Sequence, residues 1–320
     1  MRSSSQLFPV SLMAAETNGP FNEDVYELRP HNSADASVSV AVTRVTDPRA
    51  APVGQSIVLL HGQFGNRRVW LTPDAQGLAA RLAAAGYDVW LPEMRGHGLS
   101  PRNRRWENNT LSDIGRFDWP AVNAFVVEQT GHYPRWAALD IGALSLAYGM
   151  IEVSDFMAGV VGLGLVNPLR SPARAWDDRG GLSPIRSWRL RRKGYIDGYE
   201  RRLGPEQEPL ALYDELRHWR QLGRKEEHPV FDHLRRIREP TLVMTDHRLD
   251  REGDFGRRLV GLLGSRERWY RGFRTRSDAA LMTTMGAASR VVSDVEDTLL
   301  TWILSGEPDD VTMKPRMESA

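Results

Sequence analysis

The stretch WAALDIGALSLAYG, residues 136–149, decides how the chain reads. A short apolar run gives way within a few residues to a helical pattern, so a strand turns directly into a helix. Asp140 stands at the bend, with Ala138 two residues before it and Gly142 two after. Small residues at those places let the strand and helix backbones pack closely around a tight turn. A carboxylate there has two readings. It can be a reactive group presented at the bend, or a helix-start residue favoured by the dipole and the free N–H groups.

Working outward, residues 56–60 (SIVLL) form a continuous apolar run, the pattern of a strand covered on both faces of a parallel sheet. Residues 75–85 read as a helix closed by Gly86, residues 87–91 as a strand and residues 117–130 as a helix followed by Gly131. Residues 159–166, 241–245 and 268–273 read as further strands, and 286–304 as a closing helix. Residues 37–46 alternate and are rich in β-branched side chains, which predicts an edge strand. Alternating strands and helices predict an α/β fold with a mostly parallel sheet, right-handed crossovers and helices on both faces. The expected organisation is a flexible tail over 1–34, a core over 35–166 and 239–305, a helical insertion over 167–238 and a polar tail over 306–320. The insertion is basic at residues 186–202, read as a solvated face, and its Trp176, Trp188 and Trp219 suit either its own core or an apolar pocket.

The composition removes several function classes. The chain has 320 residues, a net charge of +1 and no cysteine, so disulfides, thiol catalysis and cysteine metal sites are excluded. Balanced charge gives no general case for nucleic-acid binding. No apolar run is long enough to span a bilayer, and no metal or nucleotide motif appears, so no cofactor is expected. The N-terminal apolar stretch is interrupted by Pro9 and Ser11, unlike a secretion signal, and a cytoplasmic protein is expected.

Three local patterns make the sequence resemble the α/β-hydrolase superfamily: LLHGQFGN at 59–66, PEMRGHGLSP at 92–101 and the bend at Asp140. The second matches that family's D-x-R-G-H-G-x-S turn with Glu93 in place of Asp. A weaker likeness to a bacterial group lies in KGYIDGYERRLGP (193–205) and LRHWRQLGR (216–224). The resemblance implies an α/β-hydrolase fold with a helical cap, and a nucleophile position at Asp140. It also implies an oxyanion loop formed by His61, Gly62 and Gln63 together with Ile141, and an acid position at Asp250 or Asp246. In the same family, relatives with aspartate at the bend attack carbon, and a histidine-activated water then cleaves the ester. That histidine comes from the loop after the last strand. Here the corresponding residues 274–286 (RTRSDAALMTTMG) contain no histidine, and the family's position falls on Ser277 or Asp278.

Two expectations follow. The first is a degenerate triad in an inactive or strongly altered hydrolase that keeps a cleft for a small apolar or acyl-type ligand. The second is an active ester, epoxide or halide hydrolase using Asp140 as nucleophile or base, with His247 as the substitute base. A third reading, a serine esterase using Ser145, requires a different bend. His61 and His97 read as structural residues of their turns.

Overall fold

The computed structural model describes residues 5–153, 160–166, 190–201, 203–225, 233–247, 254–273 and 289–308. Its centre is a nine-stranded sheet. The strands in chain order are β1 (Val10–Asn18), β2 (Phe21–Leu28), β3 (Val40–Thr46), β4 (Ser56–Leu60), β5 (Asp88–Pro92), β6 (Arg135–Leu139), β7 (Gly162–Val166), β10 (Thr241–Asp246) and β11 (Arg268–Phe273). Two further strands, β8 (Tyr195–Asp197) and β9 (Gln207–Pro209), form a separate antiparallel pair. The order across the large sheet is β1-β2-β3-β5-β4-β6-β7-β10-β11. From β5 to β11 every pairing is parallel, and β1 to β3 add antiparallel strands at one side.

The apolar runs explain why the parallel part is central. Ile57, Leu59, Val89, Leu91, Ala137 and Leu139 face one core, while Val58, Leu60, Trp90, Trp136 and Ala138 face the other. Successive side chains of a strand point to opposite faces, so a continuous apolar run feeds two cores at once. The helix Asp140–Glu152 covers one face, and the helices Leu78–Ala84 and Ser289–Ser305 cover the other.

The flexible tail expected over residues 1–34 is corrected by the hairpin β1–β2. Gly19, at φ 58°, and Pro20 form its tight turn, and β2 is buried along most of its length. Pairing of β2 with β3 also removes β3 from the edge, where the alternation had placed it. The charged residues of β2 hid its burial: Glu23 and Asp24 are themselves buried, with Glu23 accepting from the Asn18 amide at 2.6 Å. The helix expected from residue 117 starts at Trp119, after a wide turn over Ile114–Asp118.

Candidate active site

Asp140 follows β6 directly and opens the helix Asp140–Glu152 at φ 45°, a left-handed backbone that non-glycine residues rarely adopt. It is 3 % exposed. Two glycines permit the bend. A Cβ at Gly142 would lie 2.3 Å from the His61 carbonyl oxygen, and a Cβ at Gly62 would lie 2.7 Å from Asp140 Oδ2. The elbow and the loop after β4 are therefore in direct contact, with the carboxylate packed against Gly62. Gln63, the next residue, is fully buried, and neither atom of its amide has a hydrogen-bond partner among the described residues.

The two histidines of these loops are structural. His61 Nε2 accepts the Met94 N–H at 3.0 Å, which places the ring proton on Nδ1, and Nδ1–H donates to the Gly62 carbonyl at 2.9 Å. Burial, aided by the nearby His97, lowers its pKa to about 3, so it stays neutral and its lone pair is occupied. His97 does the opposite. Its Nδ1 faces the Arg95 carbonyl and its Nε2 faces Glu208 Oε1, both at 3.2 Å, so both nitrogens donate. Burial is the largest single influence and opposes this charge, but Glu208, Glu206 and the Arg95 carbonyl together outweigh it and the pKa is raised.

Glu208 belongs to β9 and is fully buried. The same Oε1 accepts the Phe64 N–H at 2.7 Å, while Phe64 O accepts the Glu206 N–H at 3.1 Å. Phe64 itself sits at φ 57°. The small β8–β9 sheet thus holds the loop after β4 in a strained conformation. Nothing in the spacing of residues 64, 97 and 208 marks them as partners.

The turn after β5 is equally tied. Arg95 makes a bidentate pair with Asp118, both contacts at 2.7 Å and both side chains buried. Glu93 accepts from the Arg67 and Leu99 N–H groups, and Ser100 bridges Glu93 O and Ala41 N. Glutamate therefore performs the turn-closing work that the family pattern gives to aspartate.

On the other side, Asp246 ends β10 in a buried position, whereas Asp250 and the residues 274–286, with Ser277 and Asp278, lie outside the described residues. So do Trp176 and Trp188. The His247 N–H donates to Phe273 O at 2.8 Å, and a Cβ at Gly272 would meet His247 Nε2 at 2.3 Å, so the ring lies over β11. β11 is three strands from β6, roughly 14 Å at ordinary strand spacing. The structure sets the Asp140 carboxylate against Gly62, whose neighbour is Gln63, and sets the His247 ring over Gly272. Ser145 is fully buried, accepts from Trp119 Nε1 at 2.9 Å and donates to Gly142 O at 3.0 Å. Its hydroxyl is a packing group inside the helix. Among the described residues no cluster of three or more His, Asp or Glu could hold a metal ion, and no helix is long and apolar enough to cross a membrane.

A family model described as "Alpha/beta hydrolase family" matches residues 57–308, well over half of the chain. The chain belongs to the alpha/beta hydrolase family. Within it, the chain is similar to human lipase member K, 34% identical over 92 residues, covering 26% of this chain and 23% of that protein. Mouse lipase member N is 30% identical over 105 residues, covering 29% and 26% respectively. This alpha/beta hydrolase thus spans about a quarter of the length of those curated relatives. Among solved structures, the monoacylglycerol lipase of Paleococcus ferrophilus superposes with a TM-score of 0.53 at 16% identity, covering 84% of this chain and 99% of that one. An esterase of Pyrococcus furiosus gives 0.50 at 14%, covering 92% and 93%. At these identities the likeness concerns the fold.

Proposed function

We propose that this alpha/beta hydrolase has lost serine ester hydrolysis and uses its cleft to bind a small apolar or acyl-type ligand. The observation that carries the reading is Asp140 at the elbow, with no histidine anywhere after β11 in the sequence. A carboxylate at the bend repels the oxyanion that acyl transfer would develop beside Gln63 and Ile141. A missing imidazole removes the base that every nucleophile at this place needs. The lipases and esterases among its relatives support an acyl-type ligand. The full chain is expected to leave p-nitrophenyl butyrate at the background rate and to bind a medium-chain fatty acid, read by tryptophan fluorescence. Turnover that Asp140→Ala abolishes would sink the proposal.

One observation favours a second reading. Asp140 keeps the left-handed backbone and the small neighbours Ala138 and Gly142, and strain of this kind persists where a site demands it. In that reading the Asp140 carboxylate attacks the carbon of an alkyl halide or epoxide. A C–O bond forms, the halide leaves or the ring oxygen takes a proton from water, and the aspartyl ester accumulates because no base stands by to cleave it. Mass spectrometry after incubation with 1-bromobutane or styrene oxide should then find the alkyl adduct on Asp140. An unmodified chain removes this reading.

A further inference from the structure

The end of the sheet opposite Asp140 carries a feature that ester chemistry leaves unexplained. A cleft of about 810 Å³ opens between the segment Arg235 to Pro240, which leads into β10, and Gly261 to Arg268, which leads into β11. Both strands run parallel to β6, so the cleft lies at their N-terminal ends while Asp140 lies past the C-terminal end of β6. Strands of five or six residues separate the two by about 17–20 Å.

Four arginines line this cleft, Arg235, Arg238, Arg266 and Arg268, against one carboxylate, Glu267. In a chain whose net charge is only +1, that is a strong local excess. Arg268 is spent on the Leu263 carbonyl at the end of the helix Asp254–Leu262, which quiets the negative pole of that helix. Arg235, Arg238 and Arg266 are exposed and make no ion pair among the described residues. The walls are fixed rather than loose. The Thr241 N–H donates to Glu267 O and the Leu163 N–H to Pro240 O, both at 2.8 Å, and Gly264 is pressed against the Arg235 carbonyl so closely that a Cβ would lie 2.0 Å from it.

We infer that this cleft is a binding site for a small polyvalent anion of the phosphate class, a pyrophosphate or a phosphate ester, separate from the elbow. Guanidinium groups match the paired oxygens of phosphate, and a volume of this size takes a ligand as large as a nucleotide. A concave site with anchored walls favours a discrete soluble anion over a flat membrane surface.

Isothermal titration of the full chain with sodium pyrophosphate tests this, with inorganic phosphate and phosphatidylglycerol vesicles as parallel arms. One-to-one binding is expected, tighter for pyrophosphate than for phosphate and weaker at high salt. The pair Arg238→Glu with Arg266→Glu should raise the Kd at least about tenfold, since each charge-assisted contact is worth about that factor. Arg104→Glu, an exposed arginine elsewhere, serves as the charge control and should leave the Kd within about twofold. Thermal unfolding of each variant shows that it is folded, and the exposed positions make that the expected result. No binding of pyrophosphate at about 1 mM, equal weakening by Arg104→Glu, or sedimentation with vesicles in the absence of pyrophosphate binding would each overturn the inference.

Discussion

The two sides of the elbow differ in what their residues offer. On the side of β4 and β5, a set of buried polar groups is closely paired, the Gln63 amide excepted: His61 with Met94 and Gly62, Arg95 with Asp118, Glu93 with Arg67 and Leu99, His97 and Phe64 with Glu208. On the side of β10 and β11, the sequence lacks the histidine that the fold would place after β11, and His247 lies over Gly272 instead. The comparison teaches that the loop after β4 and the turn after β5 are held by hydrogen bonds and ion pairs that stabilise the fold whether or not a reaction takes place beside them.

Variants that break the well-paired side should have the largest effects. Asp118→Ala leaves Arg95 as an uncompensated buried charge and is expected to cost about 3–5 kcal/mol, read by urea unfolding. A mutant within about 1 kcal/mol of the parent would mean that the turn after β5 is not held by that pair. Next comes acid. His61 has a folded pKa of about 3 against an ordinary value of 6.5, so the folded state resists the proton that the unfolded chain accepts. Its contribution is intact above pH 6.5 and shrinks as pH falls, by about 3 kcal/mol between pH 6.5 and 4. Denaturant titrations at both pH values should show that slope, and His61→Asn should flatten it.

The closing helix offers a smaller effect of opposite sign. Burial raises the Glu296 pKa from 4.5 to about 7, where its carboxylate accepts the Leu78 N–H at 3.2 Å. The folded state holds this proton more tightly, so stability is greatest below pH 4.5 and falls as pH rises towards 7. Glu296→Gln should stabilise the chain at pH 8 by about 2 kcal/mol, after allowance for partial exposure, and change little at pH 4.5. The smallest expected effect sits at the elbow. Asp140→Gly should stabilise by about 1 kcal/mol in thermal unfolding, because glycine adopts φ 45° without strain. A destabilised glycine variant would show that the aspartate is held there by folding and would remove the main support for its reactive role.

Local pattern carried much of this organisation. The parallel strands, the elbow and the absence of a late histidine were legible because continuous apolar runs, small residues around a bend and a residue inventory are all local facts. The hairpin β1–β2 was not, since Asn22, Glu23, Asp24 and Glu27 gave β2 a polar reading, and only the Gly19-Pro20 pair signalled a turn. The partners of His97 and Arg95 were invisible for another reason. Glu208 lies 111 residues from His97 and Asp118 lies 23 from Arg95, and no periodicity links residues that the fold alone brings together. The place of His247 over β11 was not legible either, because a strand order of β6-β7-β10-β11 cannot be read from chain order.

Glu208 has a consequence for how this protein could be re-engineered. The β8–β9 pair supplies the carboxylate that pairs with His97 and anchors Phe64, so it cannot be exchanged as a detachable module. A chimera that replaced residues 195–209 with the equivalent stretch of a relative would leave the His97 ring and the Phe64 N–H without their buried acceptor. It would fold only if the donor segment brought a carboxylate to the same spot.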